Sequence, residues 1–501
     1  MTLGAPRPRL RVWQVLVLAF AARVAVGLAN DAVLHPDEVM QYLEQAHRLV
    51  FGAGMVPWEY EYGLRPWVLP LVLAVPLRLL ELVGLDTPAV YQPVLEAVLS
   101  AASLAVPYAA YRLARALFGD DAGGLALLFT AFWYELVSYG HRATIDAIVA
   151  YVACAALALV FAQPTGTVRL TCGALAGLAF VLRFQMAPAL AAIALVAAVR
   201  WRSRVWIAAL GCVAVVVAGG ALDYYTWGMW FSAIVNGVAL NGIANLAALF
   251  GVQPFWWYGL ALVVLSGGLA VAGSLGLALG WRASWPLLVV GGAIVAGFSA
   301  IGHKETRFVF MLTPIWLIGL AALTANRGGL LAAAVPGMRR AAPAVAGVLV
   351  AGFAVISVLG LIDRLPGERR YLRPNIARSP AREAYRALAV RGDVIAVLDA
   401  SGASGWYRPP FYDLHRNVPL YWPLSKGYRA VVAEPARYAS HVIAPRRAPA
   451  PAGFRELERV GRLVIWRRVV DPPFTDEAPG YERRIHALQP VATPPAVRPR
   501  W

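Results

Sequence analysis

Charge is scarce in this chain, and the scarcity excludes a soluble fold. Only 15% of its 501 residues are charged and 59% are hydrophobic, with a mean hydropathy of +0.60. Apolar runs near or above the length of a bilayer crossing recur as far as about residue 362, the pattern of a polytopic α-helical membrane protein. Cysteine is nearly missing. Cys154, Cys172 and Cys212 all fall inside apolar runs, which argues against a disulfide framework and a zinc site. The chain also lacks a glycine-rich phosphate loop of either nucleotide-binding form, which weakens any reading that needs a nucleotide. Acidic residues are outnumbered 28 to 45, giving a net charge of +17. The arginines are nevertheless scattered through short loops and the C-terminal part without forming a stripe, so nucleic acid is not the implied partner.

What is present begins with an apolar run over 12–29, preceded by Arg7, Arg9 and Arg11. No small-residue cleavage site follows it, so it reads as an uncleaved first helix. Short basic loops mark the cytoplasmic side of such proteins. Here they contain Arg112 and Arg115, Arg169, the 200–204 stretch, Arg282, Arg327, Arg339 and Arg340. The opposite loops then hold His35-Pro36-Asp37-Glu38, His141-Arg142 with Asp146, Arg183, Asp223-Tyr224-Tyr225 and His303-Lys304-Glu305-Thr306-Arg307. The ionisable clusters therefore gather on the non-cytoplasmic face of a multi-pass protein, in a bacterial plasma membrane or, in a eukaryote, the endoplasmic reticulum. Three stretches strain the count of spans. Residues 67–85, with Pro66, Pro70 and Pro76, read as a broken, re-entrant segment. Residues 170–199 read as two short helices meeting at the outer face. Residues 224–256, rich in Trp, Tyr and Asn, read as helices lying in the outer interface rather than as another span.

Beyond residue 363 the chain becomes rich in Arg and Pro. Strand-like runs at 394–398, 430–433, 441–444 and 463–466, with a helical pattern at 382–390, predict a small extracytoplasmic α/β domain. The implied organisation is a transmembrane domain over 1–362, with its acidic outer loop at 30–66. An α/β domain over 363–470 and a disordered tail over 471–501 follow it.

The outer loop 30–66 concentrates the chemistry: Asp37, Glu38, Glu44, Glu59 and Glu61, two histidines and a Trp-Glu-Tyr cluster, directly after a membrane span. Such polarity beside lipid is costly unless it meets water or a substrate. A carboxylate here, facing cations from neighbouring loops, suits removal of a proton from an acceptor hydroxyl while the cations hold a phosphate leaving group. Asp37 and Glu38 are the candidates for the base. Arg183, His303, Lys304, Arg307 and Arg142 are the candidates for the phosphate, arginine being able to grip two oxygens at once. Trp58, Tyr60, Trp227 and Trp230 offer flat faces to a sugar ring or an isoprenoid chain. His35, Glu59, Arg65, His141, Asp223 and Tyr225 complete the set of sugar or acceptor contacts. Each has a plainer alternative: an adjacent Asp-Glu pair also caps helices, an outer arginine also reaches lipid phosphate, and 303–307 also reads as a topogenic loop. His141 and Asp146 lie five residues apart, a poor spacing for a helical metal pair, and no obligatory metal or other cofactor is expected.

The run His35-Pro36-Asp37-Glu38, continuing through Gln41, Glu44, His47, Trp58-Glu59 and Gly63-Leu64-Arg65, resembles the lipid-linked mannosyltransferases of the GT-C superfamily. Within these it is most similar to the α-mannosyltransferases of glycosylphosphatidylinositol and N-glycan assembly, the third glycosylphosphatidylinositol mannosyltransferase above all. The segments 222–230, 255–258, 303–314 and 409–423 resemble further family motifs in the same order. The resemblance implies a GT-C fold and a polyprenyl-phosphate (typically dolichyl-phosphate) mannose donor. Transfer would invert the anomeric centre to give an α-mannoside, with Asp37 at the family's catalytic position. At 142–149, Arg-Ala-Thr-Ile-Asp-Ala-Ile-Val lacks the Ser and Glu of the family pattern, which leaves the acceptor open between a lipid-linked and a surface glycan. Rival readings are the same fold with another sugar, such as glucose or arabinofuranose, and a lipid or glycan transporter. A transporter predicts charged groups through both halves of the bilayer and inverted repeats. Neither is found in the sequence.

Overall fold

The computed structural model describes residues 11–30, 32–362, 379–402, 411–423, 425, 427–470, 478 and 486–487. The first helix spans Val12–Ala29, as the apolar run predicts. Among the described residues six helices are long and apolar enough to cross a membrane. Two further spans are broken. Tyr134–Gly140 meets Ile145–Val160 at 108°, and Trp257–Leu265 meets Leu269–Leu279 at 110°. The chain divides into two compact units, each assembled from three stretches.

The first unit comprises Met1–Gly27, Glu96–Gly219 and Leu240–Asn375. Its centre is the helical run Leu312–Ala334, most of whose residues are buried and whose backbone leaves the helix at a kink over 325–328. It lies against Leu269–Leu279 at glycine: a Cβ on Gly273 would come within 2.1 Å of the Trp316 carbonyl, and one on Gly319 within 2.1 Å of the Gly273 carbonyl. Small residues at such crossings let helix backbones touch in lipid, where apolar side chains gain little by associating. Arg23 is fully buried in the first helix and donates from Nη1 to the Ala19 and Ala131 carbonyls at 3.0 and 2.9 Å. Ala131 lies where its own helix, Asp120–Phe132, gives way to extended backbone at Trp133, so the guanidinium serves carbonyls the break leaves short of partners.

The stretch 170–199 divides as expected. Gly166–Leu182 ends at Arg183, which is extended (φ −155°, ψ 90°), and Ala187–Trp201 follows a short 3₁₀ turn. Residues 232–250 form short helical pieces, the longest continuous one Ser232–Ile243, and not a span. The expectation of a broken segment at 67–85 is corrected: Val68–Leu82 is one unbroken 15-residue helix. Pro70 sits in its first turn, where a missing N–H costs nothing, and Pro76 is accommodated within it. At about 1.5 Å per residue it remains too short for a full crossing.

The second unit comprises Leu28–Leu95, Gly220–Ala239 and Ile376–Trp501. Its C-terminal part is a five-stranded mixed sheet. The strands are β1 (Val397–Asp399), β2 (Leu420–Tyr421), β3 (His441–Pro445), β4 (Phe454–Val460) and β5 (Leu463–Arg468), in the order β2-β1-β3-β5-β4. The helix Pro380–Ala389 covers it through Ala384, Tyr385 and Leu388, which pack on Val397, Ile443 and Ile465. The expected strand at 430–433 is a correction: Tyr428–Ala433 is helical, started by Gly427 at φ 82°, with Val431 buried. The expected tail over 471–501 lies largely outside the described residues. His486–Ala487 pairs in parallel with Val56–Pro57.

Candidate active site

Both units hold a polar cluster built from the predicted residues. In the second unit Asp37 opens a short π-helix, Glu38–Leu43, which runs on into the helix Glu44–Phe51. The wide turn matters, because π segments recur where a side chain must be aimed at a site. Glu38 turns inward. It is 4% exposed, and its Oε1 accepts the Leu34 N–H at 2.8 Å. The Asp37 side chain stays 23% exposed, 3.4 Å from Nδ1 of His35. Of the two base candidates, only Asp37 keeps access to a ligand.

One turn along, the Gln41 amide donates to Oε1 of Glu59 at 2.7 Å, and the Tyr60 hydroxyl donates to the Gln41 carbonyl at 2.8 Å. Arg65 Nη2 stands 4.0 Å from the same Glu59 oxygen. Burial raises the Glu59 carboxyl above its ordinary range, Arg65 works against this, and Asp37 adds to it. Asp37 also acts on Arg65, whose charge is held by surrounding anionic groups despite burial. Asp37, Glu59 and Arg65 thus form one electrostatic group. Tyr60 belongs to a buried aromatic set with Trp67 and Trp227, ring centres 4.8 to 6.2 Å apart, so its face is packed rather than offered. Trp58 lies buried beside it in sequence, 6.3 Å from the Tyr62 ring. Gly63, at φ 61°, has no room for a side chain, since a Cβ would meet Ser232 Oγ at 2.6 Å. Ser232 and Asn236 tie this bend down by donating to the Gly63 and Tyr62 carbonyls. Asp223 accepts the Ala233 N–H at 3.0 Å, and Tyr225 points outward at 72% exposure.

The first unit gathers the cations. Asp146, in the first turn of its helix, receives Arg183 Nη1 at 2.8 Å and Arg307 Nη1 at 3.6 Å. Arg307 Nε donates to Glu305, whose other oxygen lies 3.0 Å from His303 Nε2. The Phe308 ring faces both guanidiniums, at 4.6 and 5.5 Å. His303 Nδ1 meets the Gly251 carbonyl at 2.9 Å. Burial disfavours a charged His303, but the Glu305 and Gly251 acceptors outweigh it and raise the imidazole pKa. Lys304 donates to the Gln253 and Ile301 carbonyls, fastening two loops together. His141 and Arg142, both buried, occupy the bend between Tyr134–Gly140 and Ile145–Val160. Sequence reasoning missed the hydrogen-bonding roles of Asp146 and Glu305, which spread and orient the guanidiniums, and of Gln41, which orients Glu59. It also missed Glu135, which accepts a hydrogen bond from Thr313 at 2.7 Å in a mostly apolar cleft lined by Trp133, Leu262, Leu265 and Trp316. Among the described residues, no group of three or more His, Cys, Asp or Glu is placed to hold a metal ion.

Comparison with known proteins places this architecture. The model of the Alg9-like mannosyltransferase family matches residues 14–362. The GPI mannosyltransferase 3 of Yarrowia lipolytica is 31% identical over 319 residues, 60% of each chain. That of Trypanosoma brucei brucei is 29% identical over 363 residues, 62% of this chain and 64% of the other. The chain therefore spans about three fifths of the length of these relatives. In structure it resembles ArnT from Cupriavidus metallidurans, solved bound to undecaprenyl phosphate (TM-score 0.55, 16% identity, 91% of this chain and 97% of the other). The oligosaccharyltransferase of Archaeoglobus fulgidus is similar at TM-score 0.50 and 12% identity, over 87% of this chain and 69% of that one. These structures share the GT-C fold.

Proposed function

The chain belongs to the Alg9-like mannosyltransferase family, and from that premise we propose that it is an inverting membrane mannosyltransferase. It takes mannose from a polyprenyl-phosphate-mannose and delivers it to a lipid-linked or surface glycan. The observation that carries this reading is the Asp37–Glu59–Arg65 group, with Asp37 accessible and electrostatically bound to its neighbours. Asp37 takes the proton of the acceptor hydroxyl as that oxygen bonds to the anomeric carbon from the face opposite the donor phosphate. The carbon–oxygen bond to phosphate breaks, and the polyprenyl phosphate leaves with the electron pair. Arg183 and Arg307 receive its charge, with Arg142, Lys304 and His303 adding to the positive field. Neutralising the leaving group in this way requires no metal ion. The undecaprenyl phosphate bound by ArnT, a protein of the same fold, supports a lipid-phosphate donor. His35, Trp58, Glu59, Arg65, His141, Asp223 and Tyr225 remain the proposed sugar and acceptor contacts, and the site faces the non-cytoplasmic side.

The test is transfer from purified polyprenyl-phosphate-mannose to a panel of lipid-extract acceptors, in detergent with a chelator present. Wild type and Asp37→Asn are compared, and polyprenyl-phosphate-linked glucose and arabinofuranose serve as competing donors. Mannosylated product from wild type alone is the expected result. Equal product from the Asn variant would overturn the assignment of the base. Product only from another donor would overturn the assignment of the sugar.

A further inference from the structure

Glu44 is completely buried in the second unit, one residue beyond the π-helix that Asp37 opens. Three backbone N–H groups converge on its carboxylate. Met55 donates to Oε1 at 2.7 Å, Phe411 to Oε1 at 3.2 Å and Tyr412 to Oε2 at 2.8 Å. The last two belong to the C-terminal region, more than 360 residues away in sequence. Farther along the same helix face, at positions i+3 and i+7, stand His47 and Phe51. His47 Nε2 lies 3.0 Å from His415 Nδ1, and the Phe51 ring packs edge-on to His415 at 4.6 Å. His415 itself has φ 48°, so the backbone is bent to make the contact. The segment between is held from its other side. Asp413 accepts Arg382 Nε at 2.9 Å and the Gln92 amide at 2.9 Å, with Arg386 Nε at 3.5 Å.

Among the described residues no cation pairs with this carboxylate, and a buried charge held by N–H groups alone is an expensive way to join two elements. A side chain of similar volume without charge would do so at less desolvation cost. What the charge adds is direction: three N–H vectors meet only one placement of the carboxylate, and so fix the rotation of the helix that bears it. Burial raises the Glu44 carboxyl to about 7, against the pull of the same three N–H groups.

We propose that Glu44 is a positioning residue for the transfer reaction, locking the helical run 38–51 onto segment 411–415 so that the C-terminal sheet region holds Asp37 at its working angle. This rests on the reading of Asp37 as the base, yet it is separable from it. In the full-length protein Glu44→Gln keeps the volume but turns an amide N–H₂ towards N–H donors. The expected result is a kcat lowered at least tenfold, with donor and acceptor KM within threefold of wild type. Amide exchange should rise at 55, 411–412 and 35–43, while Asp37→Asn lowers kcat with no change in exchange. Glu44→Asp, which keeps the charge and shifts the carboxylate by one methylene, should recover part of the rate. If Glu44→Gln does not fold, Glu44→Asp carries the same readouts, with a smaller loss in the same direction. A kcat within twofold of wild type despite faster exchange at 411–412 would overturn the proposal, leaving Glu44 a structural tie. So would faster exchange at 411–412 with none at 35–43. If wild type transfers no mannose to any acceptor, the functional reading fails. Exchange at 35–43 then decides the positioning on its own.

Discussion

The two polar clusters differ in charge and in exposure. In the first unit, cations outnumber acids, and close ion pairs hold them: Arg183 and Arg307 share Asp146, and Glu305 takes Arg307 and His303. In the second, acids predominate: Glu59 accepts from Gln41 at 2.7 Å with Arg65 4.0 Å away, and the Asp37 side chain keeps 23% exposure. A group that must receive a diffuse anionic charge gains from being built in advance and fixed. A group proposed to accept a proton from a substrate must be reachable by it. The contrast is one of exposure: largely buried, ion-paired cations against a carboxylate that solvent still reaches.

The sharpest way to break the comparison is to remove the available oxygen. Asp37→Asn should lower kcat by roughly 10²- to 10⁴-fold with little change in thermal stability, measured by mannosyl transfer and by unfolding in detergent. Removing one fixed cation should cost somewhat less. Arg307→Ala and Arg183→Ala are expected to lower kcat by about 10²- to 10³-fold, and Lys in either place should restore only part, because one ammonium cannot span both an acid and a phosphate. A smaller effect should follow at the scaffold of the acidic cluster. Gly63→Ala must hold alanine at φ 61° against Ser232, and should destabilise the protein by about 1–2 kcal/mol, read as a lowered Tm.

The smallest effect is in pH. Glu44 and Glu59 bind protons more tightly when folded than their ordinary value of 4.5, Glu44 up to about 7. The folded protein then holds protons that the unfolded chain releases. Their contribution is full below pH 4.5 and is lost as pH rises towards 7. His47 works the other way. Burial lowers its pKa from 6.5 to about 3, so its contribution is present above pH 6.5 and fades as pH falls. Where the windows overlap two carboxyls outweigh one imidazole, so Tm against pH should pass through a maximum near pH 4.5, and Glu59→Gln should flatten the fall on the alkaline side.

Much of this was legible because charged residues in an apolar chain announce themselves. The positions of Asp37, Arg183, His303 and Arg307 could be found from their settings beside spans, and the break at Arg183 from the polar residue inside an apolar run. Where the reading went astray, neighbours in space decided the matter. The 430–433 run, Ala-Val-Val-Ala, has a strand's composition, but Gly427 turns the chain into a helix that buries Val431 alone. Strand β4, Phe-Arg-Glu-Leu-Glu-Arg-Val, escaped notice because it is an edge strand whose charged residues face solvent, with a bulge between Glu456 and Glu458. The pairing of Asp146 with Arg183 and Arg307, and the docking of Glu44 on 411–412, join residues far apart in sequence. No local pattern encodes them.

Arg23 carries a consequence in time. Its partner carbonyl on Ala131 lies 108 residues farther along the chain. At about 5–20 residues per second, a ribosome needs on the order of 5–20 seconds to deliver it. For that interval the first helix must wait in the membrane or its insertion machinery with only its own Ala19 carbonyl to answer the charge, at a cost of up to about 3 kcal/mol. Arg23→Leu should remove that cost and speed release of the first helix into lipid, while depriving the finished protein of the donor that serves the break at Trp133.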